Sequence, residues 1–181
     1  FIISGILKCN NCKIDFPIIN RVPRFVNSDN YVNSFSFEWD KHSRTQLEID
    51  VDFTENLFFE VLGVKKEELE KIKVLDAGVG PGRYAFIPIN NGAIYHGVDL
   101  SNAVDQAIKN YENEKNAIFI QSDLQKLPYP NKYFDFIYSI GVLHHTPNPK
   151  ESFFALVSHL KSGGSIAICV YNKGALLYEY S

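Results

Sequence analysis

The stretch VLDAGVGPGRY, residues 74–84, decides the fold. An apolar strand pattern ends in Asp76, and glycines follow at alternate positions, Gly78, Gly80 and Gly82, before a helical pattern begins. Glycine lets the backbone turn tightly and approach a ligand, and a helix start offers N–H groups without partners. The loop therefore predicts a site for a molecule with a polar or anionic part. Glycine turns also join strands to helices in many proteins, so the loop alone leaves a purely structural role open.

From residue 72 onward, apolar strand patterns alternate with amphipathic helix patterns. This alternation is typical of an α/β fold with a Rossmann-like, doubly wound, mostly parallel sheet. The predicted strands are KVLDAG, AIYHGVDL, NAIFIQSD, FDFIYSIG and GSIAICVY, and the predicted helices include SNAVDQAIKNYEN and ESFFALVSHLK, the latter stopping at Ser162, Gly163 and Gly164. Pro88 falls in the helix after the glycine loop, where it should remove a hydrogen bond and shorten or kink that helix.

A second acidic residue supports a ligand at the glycine loop. Asp99 ends the next strand, 23 positions after Asp76. Doubly wound nucleotide-binding folds place a carboxylate near this spacing to accept hydrogen bonds from ribose hydroxyls. A dinucleotide fingerprint also needs glycine at the sixth loop position, to pack around a pyrophosphate, and Arg83 stands there. The pattern favours a ligand with a ribose and no pyrophosphate, and an NAD-binding enzyme ranks third among the possible functions.

The run from Val74 to Tyr171 resembles the class I S-adenosylmethionine-dependent methyltransferases, in particular the type 11 methyltransferase domains. The matching pieces cover about half the chain in the family's order: VLDAGVGPGRY, VDLS, QSDLQKLPYPNKYFDFIYSIGVLHHTPNP and KSGGSIAICVY. The resemblance implies S-adenosylmethionine as cofactor and S-adenosylhomocysteine as product. It implies that the glycine loop packs on the methionine moiety, that Asp99 holds the ribose and that Asp123 holds the adenine amino group. The predicted cofactor-binding residues are Asp76, Gly78, Val79, Gly80, Gly82, Arg83, Asp99, Leu100, Asp123, Leu124, Ser139, Ile140 and Gly141.

Some of these residues also fit ordinary structural roles. Asp123 is a suitable cap for a helix or turn, and Arg83 fits a surface helix position. Arg83 also lies just after the glycine loop, a position that suits it to pair with the methionine carboxylate. His144 and His145, after the fourth core strand, are the candidate catalytic residues, because an acceptor hydroxyl would gain from a general base. A capping or hydrogen-bonded structural role is the alternative for both histidines.

The sequence favours a small-molecule acceptor, methylated on oxygen or nitrogen. With 18 basic and 21 acidic residues and a net charge of -3, the chain has no basic field for a phosphate backbone, so no nucleic-acid partner is predicted. The fourth strand leads into SIGVLHH and not into the Asn/Asp-Pro-Pro-Tyr sequence of adenine and glutamine amide methyltransferases. No Pro-Cys pair is present for cytosine C5 methylation. The segment NSFSFEWDKHSRTQLEID resembles one that precedes the core in methyltransferases of sugar and cell-surface polysaccharide pathways.

Three regions are predicted: a small β module over residues 1–30, a helical linker or lid over 31–71 and the cofactor-binding core over 72–181. In the linker, Phe35, Phe37 and Trp39 suit packing between modules, and Arg44, Thr45 and Gln46 would be its polar contacts to the cofactor. Cys9 and Cys12 have the spacing of one zinc knuckle, but a structural zinc needs four ligands. GILKCNNCKIDFPIINRVPRFV resembles the second half of a zinc-ribbon-like segment, so either the first half precedes Phe1 or the module folds without metal. No complete metal site is predicted.

The ends of the sequence give further expectations. The chain has no methionine, even at position 1, and the family's last two strands are missing after Ser181, which indicates a fragment. A truncated or non-catalytic relative that binds the cofactor or a partner subunit is therefore the alternative function. The apolar runs fall short of the roughly 20 residues of a membrane span, and FIISGIL lacks the basic start of a signal peptide, so a cytoplasmic protein is predicted. The oligomeric state is left open, although an incomplete sheet would expose an edge that invites pairing.

Overall fold

The computed structural model describes residues 2–26 and 51–171. The strands in these ranges are β1 (Gly5–Lys8), β2 (Asp15–Ile19), β3 (Val22–Phe25), β4 (Lys73–Ala77), β5 (Ile94–Asp99), β6 (Ala117–Ser122), β7 (Phe134–Ile140) and β8 (Leu160–Cys169). The α-helices there are α1 (Val51–Leu62), α2 (Phe86–Asn90), α3 (Val104–Asn110) and α4 (Pro149–Ser158), and short 3₁₀ helices cover Lys66–Leu69, Leu124–Lys126 and Leu143–His145.

The strands form one eight-stranded sheet in the order β1-β2-β3-β6-β5-β4-β7-β8. The five strands from β6 to β8 in that order are parallel to one another. The chain first moves outward from β4 to β5 and β6, and then crosses back to β7 and β8 on the other side of β4. This doubly wound arrangement confirms the predicted fold class. Ligands of such sheets bind outside the carboxyl ends of the strands, where the strand order reverses.

The central strands are buried on both faces, which explains their almost continuous apolar sequences. Neighbouring residues of β4 enter opposite layers: Val74 packs in the cluster that contains Phe58 of α1, and Leu75 packs in the cluster that contains Leu156 of α4. All four side chains are at most 1% exposed. Burying an apolar side chain of this size contributes roughly 1.5–3 kcal/mol, so these two layers fix where the strand ends lie.

The helices differ in part from the sequence expectations. Pro88 lies inside α2, which has only five residues, so the predicted shortening is confirmed. The predicted helix ESFFALVSHLK ends at Ser158, and β8 already begins at Leu160. The reason is non-local, because His159 O accepts hydrogen bonds from the backbone N–H groups of Tyr133 and Phe134. Within the predicted helical linker, the charged run VKKEELEKIK forms only a four-residue 3₁₀ helix, Lys66–Leu69.

The predicted glycine stop of that helix lies within β8. A β-bulge offsets β8 from the start of β7, and Gly163 in this stretch has φ +80°. A Cβ on Gly164 would lie 2.8 Å from the carbonyl oxygen of Asp135. Gly164 therefore allows β8 to pass close to β7, Gly163 supplies a positive φ in the same stretch, and neither glycine ends the helix.

The amino-terminal strands join the main sheet. β1, β2 and β3 form an antiparallel meander, and β3 pairs in parallel with β6. Cys12 N donates to Cys9 Sγ at 3.5 Å. Among the residues described, no group of three or more His, Cys, Asp or Glu side chains could hold a metal ion.

Part of the predicted linker is not described. Residues 31–50 lie outside the described ranges, and with them the predicted packing residues Phe35, Phe37 and Trp39 and the predicted contacts Arg44, Thr45 and Gln46. None of the helices in residues 2–26 and 51–171 is long and apolar enough to cross a membrane.

Candidate functional site

A pocket of about 410 Å³ opens at the carboxyl ends of β4, β5, β6 and β7. This is the end of the sheet at which the topology predicts a ligand. The sequence-predicted residues that line it are Asp76, Gly78, Val79, Gly80, Arg83, Asp99, Leu100, Asp123, Leu124, Ile140, Gly141 and His145. The lining residues that the sequence analysis missed are Pro81, Tyr84, Ser101, Gln125, Val142, Thr146, Pro147, Ser152 and Tyr171. Gly82, Ser139 and His144 are not among the lining residues.

The glycine loop has the backbone conformation that its sequence predicts. Gly78, Gly80 and Gly82 have φ angles of +98°, +52° and +92°, which residues with a side chain rarely adopt. A Cβ on Gly78 would lie 2.3 Å from Val142 Cγ2, and a Cβ on Gly82 would lie 2.7 Å from Tyr111 Cε2. Gly78 thus allows the pocket wall to close against the loop, and Gly82 allows the residue after α3 to pack beneath it.

Asp99 ties the loop to the end of β5. Its Oδ2 accepts a hydrogen bond from Gly80 N at 2.8 Å, and its Oδ1 accepts from Ser101 N at 2.8 Å and Ser101 Oγ at 2.7 Å. Burial raises the pKa of Asp99, and these hydrogen bonds oppose that rise. A carboxylate has about four acceptor sites, so three donors orient Asp99 and leave capacity for a ligand hydroxyl.

Asp76 lies on the floor of the pocket between two tyrosines. Tyr95 OH of β5 and Tyr138 OH of β7 donate to its Oδ2 at 2.7 and 2.8 Å. Burial raises the pKa of Asp76 to about 7, and the two hydrogen bonds oppose that rise. Since an adjacent positive charge favours the ionised form of a carboxyl group, Asp76 is suited to hold a cationic part of a ligand.

Asp123 caps a short helix and also lines the pocket. Its Oδ1 accepts from Gln125 N at 2.9 Å and so caps the 3₁₀ helix after β6, while the same residue lines the pocket. Beside it, Gln125 Nε2 donates to Ser152 Oγ at 3.2 Å, and Ser152 Oγ donates to Thr146 Oγ1 at 3.1 Å. These polar groups continue the pocket wall from the end of β6 to α4. Leu124 is buried beside Asp123 and supplies an apolar surface.

The end of β7 forms the opposite wall. Ser139 is fully buried and donates to Ala77 O at 2.7 Å, so it joins β7 to β4 and does not line the pocket. Of the two candidate catalytic histidines, the exposed His145 lines the pocket and His144 does not. Burial and the charge of His145 lower the pKa of His144, and the two rings lie 3.9 Å apart.

Arg83 and two tyrosines, Tyr84 and Tyr171, add polar groups to the pocket lining. The guanidinium of Arg83 lies 5.0 Å from the ring centroid of Tyr84. Gly141 has φ +73°, and a Cβ on it would lie 3.0 Å from Tyr171 OH. The pocket lining thus includes a guanidinium, an imidazole and two phenol groups, all of which can bind polar parts of a cofactor or acceptor.

The chain is similar in sequence to two curated methyltransferases. It is 28% identical over 110 residues to the ubiquinone biosynthesis O-methyltransferase of Coxiella burnetii, a match that covers 60% of this chain and 47% of that protein. It is 31% identical over 127 residues to the tRNA U34 carboxymethyltransferase of Hydrogenovibrio crunogenus, a match that covers 66% of this chain and 38% of that protein. This chain thus spans less than half the length of either relative.

Solved structures share the fold. A protein from Pyrococcus horikoshii matches with a TM-score of 0.63 and 26% identity, covering 78% of this chain and 65% of that chain. An S-adenosylmethionine-dependent methyltransferase from Aquifex aeolicus matches with a TM-score of 0.57 and 23% identity, covering 75% of this chain and 70% of that chain. These likenesses show that the chain shares its fold with these proteins.

The family assignment follows from the core strands. A family model described as "Methyltransferase domain" matches residues 75–168, just over half of the chain, and the chain belongs to that family. The family's cofactor is S-adenosylmethionine, and S-adenosylhomocysteine is the product. The residues present fit this cofactor: the acceptor capacity left on Asp99 suits a ribose hydroxyl, and the buried carboxyl of Asp76 suits a cationic group.

Proposed function

We propose that this chain binds S-adenosylmethionine in the pocket at the strand ends and catalyses transfer of its methyl group to a small-molecule acceptor. The observation that carries the proposal is the convergence of Asp76, Asp99 and Asp123. Asp76 is the last residue but one of β4, Asp99 ends β5 and Asp123 follows β6. These three strands are parallel neighbours, and all three carboxylates line one pocket beside the glycine loop.

Each carboxylate has a separate task in this proposal. Asp99 accepts from the ribose hydroxyls, because Gly80 and Ser101 leave it free acceptor capacity. Asp123 accepts from the adenine amino group with the oxygen that does not cap the 3₁₀ helix. Asp76 faces the methionine ammonium, and Arg83 pairs with the methionine carboxylate.

When bound, S-adenosylmethionine supplies a methyl group already activated by its positively charged sulfur. The protein therefore has to hold the acceptor in line with that group, and such positioning contributes roughly 7–11 kcal/mol in well-oriented reactions. His145 is the lining residue best suited to accept a proton from an acceptor hydroxyl, since imidazole is the side chain that most often acts as a general base. Tyr84 and Tyr171 line the same part of the pocket and would orient the acceptor.

Net charge supports a small acceptor. The chain carries -3 at pH 7, with acidic residues in excess of basic ones. Proteins that hold nucleic acid bring several Lys and Arg side chains to the phosphates. One relative is named for ubiquinone biosynthesis and another for tRNA, so the relatives include both kinds of acceptor, and the charge of this chain favours the first kind.

Cofactor binding is tested by calorimetric titration with S-adenosylmethionine, S-adenosylhomocysteine and NAD. We expect the two sulfur ligands to bind and NAD not to bind. Asp99→Ala should weaken both by about 1.5–3 kcal/mol for each charged hydrogen bond lost. Asp15→Ala is the matched control, because Asp15 is an exposed carboxylate on β2, outside the residues that line the pocket. Preferential binding of NAD, or equal affinity in Asp99→Ala and wild type, would contradict the proposed site.

The acceptor is tested by release of S-adenosylhomocysteine with separate pools of small hydroxylated or aminated compounds and of tRNA. We expect release with a small-molecule pool, and a loss of kcat in His145→Ala that is partly restored at higher pH, where an acceptor hydroxyl ionises without a base. Release with tRNA alone would contradict the small-molecule part of the proposal and leave the cofactor site intact.

A further inference from the structure

The loop that carries the proposed ribose carboxylate is attached to the amino-terminal meander. We define the ribose loop as residues 99–103, between the end of β5 and the start of α3. Inside the loop, Ser101 donates to Asp99, and Ala103 N donates to Ser101 Oγ at 3.2 Å. These local bonds shape the loop, but they do not fix it relative to β6.

Gln121 of β6 supplies that fixation. Its side-chain Nε2 donates to Leu100 O at 2.9 Å and to Asn102 Oδ1 at 3.1 Å, both within the ribose loop. Its Oε1 accepts from Arg24 Nη1 at 3.1 Å. The amide of Gln121 is thus oriented by a donor from the meander, since an amide has one acceptor end and one donor end.

Arg24 lies opposite Gln121 in the β3–β6 register and is 7% exposed. Besides Gln121, its guanidinium contacts the carboxylate of Asp105, in the first turn of α3, and Ile19 O of β2 at 3.4 Å. One buried guanidinium therefore joins β2, β6 and α3. A charged side chain is rarely buried without such partners. Two of the partners flank the ribose loop: Gln121 bonds the loop itself, and Asp105 follows it in α3.

We propose that Arg24 is a positioning residue for cofactor binding: through Gln121 and Asp105 it holds the ribose loop so that Asp99 faces the pocket. The inference rests on the proposed function, because it concerns the same cofactor site. It makes the amino-terminal meander part of that site, although no residue of the meander lines the pocket.

The chain offers a matched control on the same meander. Arg21 Nη1 donates to Glu112 O at 2.8 Å, beyond the carboxyl end of α3. Arg21 therefore helps dock the meander on the core at a position outside the ribose loop. A substitution there tests whether loosening the meander alone affects cofactor binding.

The experiment measures the Kd of S-adenosylhomocysteine by calorimetry for the full chain, below the melting temperature of every variant. Arg24→Met removes the guanidinium. Gln121→Glu keeps the acceptor for Arg24 but removes the donor to the ribose loop, so the meander stays docked. We expect both to weaken binding about tenfold, the effect of losing about one hydrogen bond between a misplaced Asp99 and the ribose. Arg21→Met should stay within about twofold of wild type.

A double-mutant cycle separates positioning from general destabilisation. In the Asp99→Ala background, Arg24→Met should change the Kd by less than about twofold, because the carboxylate that Arg24 positions is gone. A full tenfold loss in that background, or wild-type affinity in both Arg24→Met and Gln121→Glu, overturns the positioning role. Failure of the wild-type chain to bind S-adenosylhomocysteine would instead overturn the proposed function itself.

Discussion

The stability of this protein should depend on a buried neutral histidine, His96 of β5. Its side chain is 2% exposed, Nδ1 lies 3.0 Å from Tyr129 OH, and Nε2 has no hydrogen-bond partner among the described residues. The rings of Tyr129, Tyr133 and Phe134 surround it. Burial, with a smaller effect from the charge of Lys73, lowers the pKa of His96 from 6.5 to about 4.

The sign and size of the effect follow from this pKa. Between pH 6.5 and about 4, the unfolded chain binds a proton at His96 that the folded chain does not bind, so the free energy of unfolding falls as the pH falls. The fall is about 1.36 kcal/mol per pH unit and reaches about 3.4 kcal/mol once both states are protonated. At pH 4.5, integration of the two titrations gives about 2.5 kcal/mol.

The perturbation is the double substitution His96→Phe and Tyr129→Phe, which removes both polar partners so that neither is left unpaired. Urea unfolding at pH 7.5 and pH 4.5 gives the free energy of unfolding of wild type and variant. The free energy of unfolding of the variant minus that of wild type should increase by about 2.5 kcal/mol from pH 7.5 to pH 4.5. Asp76, whose raised pKa of about 7 acts in the opposite direction, is present in both proteins and cancels in the difference. A wild-type-to-variant difference that is the same at both pH values would refute the reasoning.

Two further substitutions test the pocket. Gly78→Ala should lower the melting temperature, because its Cβ would meet Val142 Cγ2 at 2.3 Å and a residue at φ +98° is strained by about 1–2 kcal/mol. Adding Val142→Ala removes the two methyl groups of Val142 but leaves its Cβ at 2.8 Å, so it should recover part of the loss. No recovery would exclude the clash with these methyl groups as a cause. Tyr138→Phe removes a hydrogen bond that lowers the pKa of Asp76, so the gain in S-adenosylmethionine affinity from pH 6.5 to pH 8.5 should exceed that of wild type in calorimetry. An equal gain in both proteins would count against an ionised Asp76 at the methionine ammonium.

Strand positions could be predicted from the sequence because burial on both faces leaves a local signal. Runs such as KVLDAG and FDFIYSIG are mostly apolar without alternation, as is typical of buried parallel strands. Helix ends carried less local information. The end of α4 at Ser158 depends on hydrogen bonds from Tyr133 and Phe134 to His159 O, which come from a segment more than 20 residues earlier in the sequence.

The same distinction separates the site residues. Asp99 and Asp123 could be located because the carboxyl ends of parallel strands meet at one edge, so position along a strand determines position in the pocket. Ser101, two residues after Asp99, had a local signal as well, since a serine there can bond the preceding carboxylate. Gln125, Ser152 and Thr146 had none, because each reaches the pocket only after α4 packs against the 3₁₀ helix that follows β6.

The glycine loop shows that a sequence motif does not reveal every physical reason for its glycines. The sequence placed Gly78 and Gly82 at the cofactor, and both do adopt positive φ angles. Yet the closest atoms to their absent side chains belong to Val142 and Tyr111, from β7's end and the turn after α3. These neighbours lie 64 and 29 positions away along the chain, and no spacing rule names them. The loop is therefore constrained by packing on the protein side, and that constraint fixes the shape that it presents to the ligand.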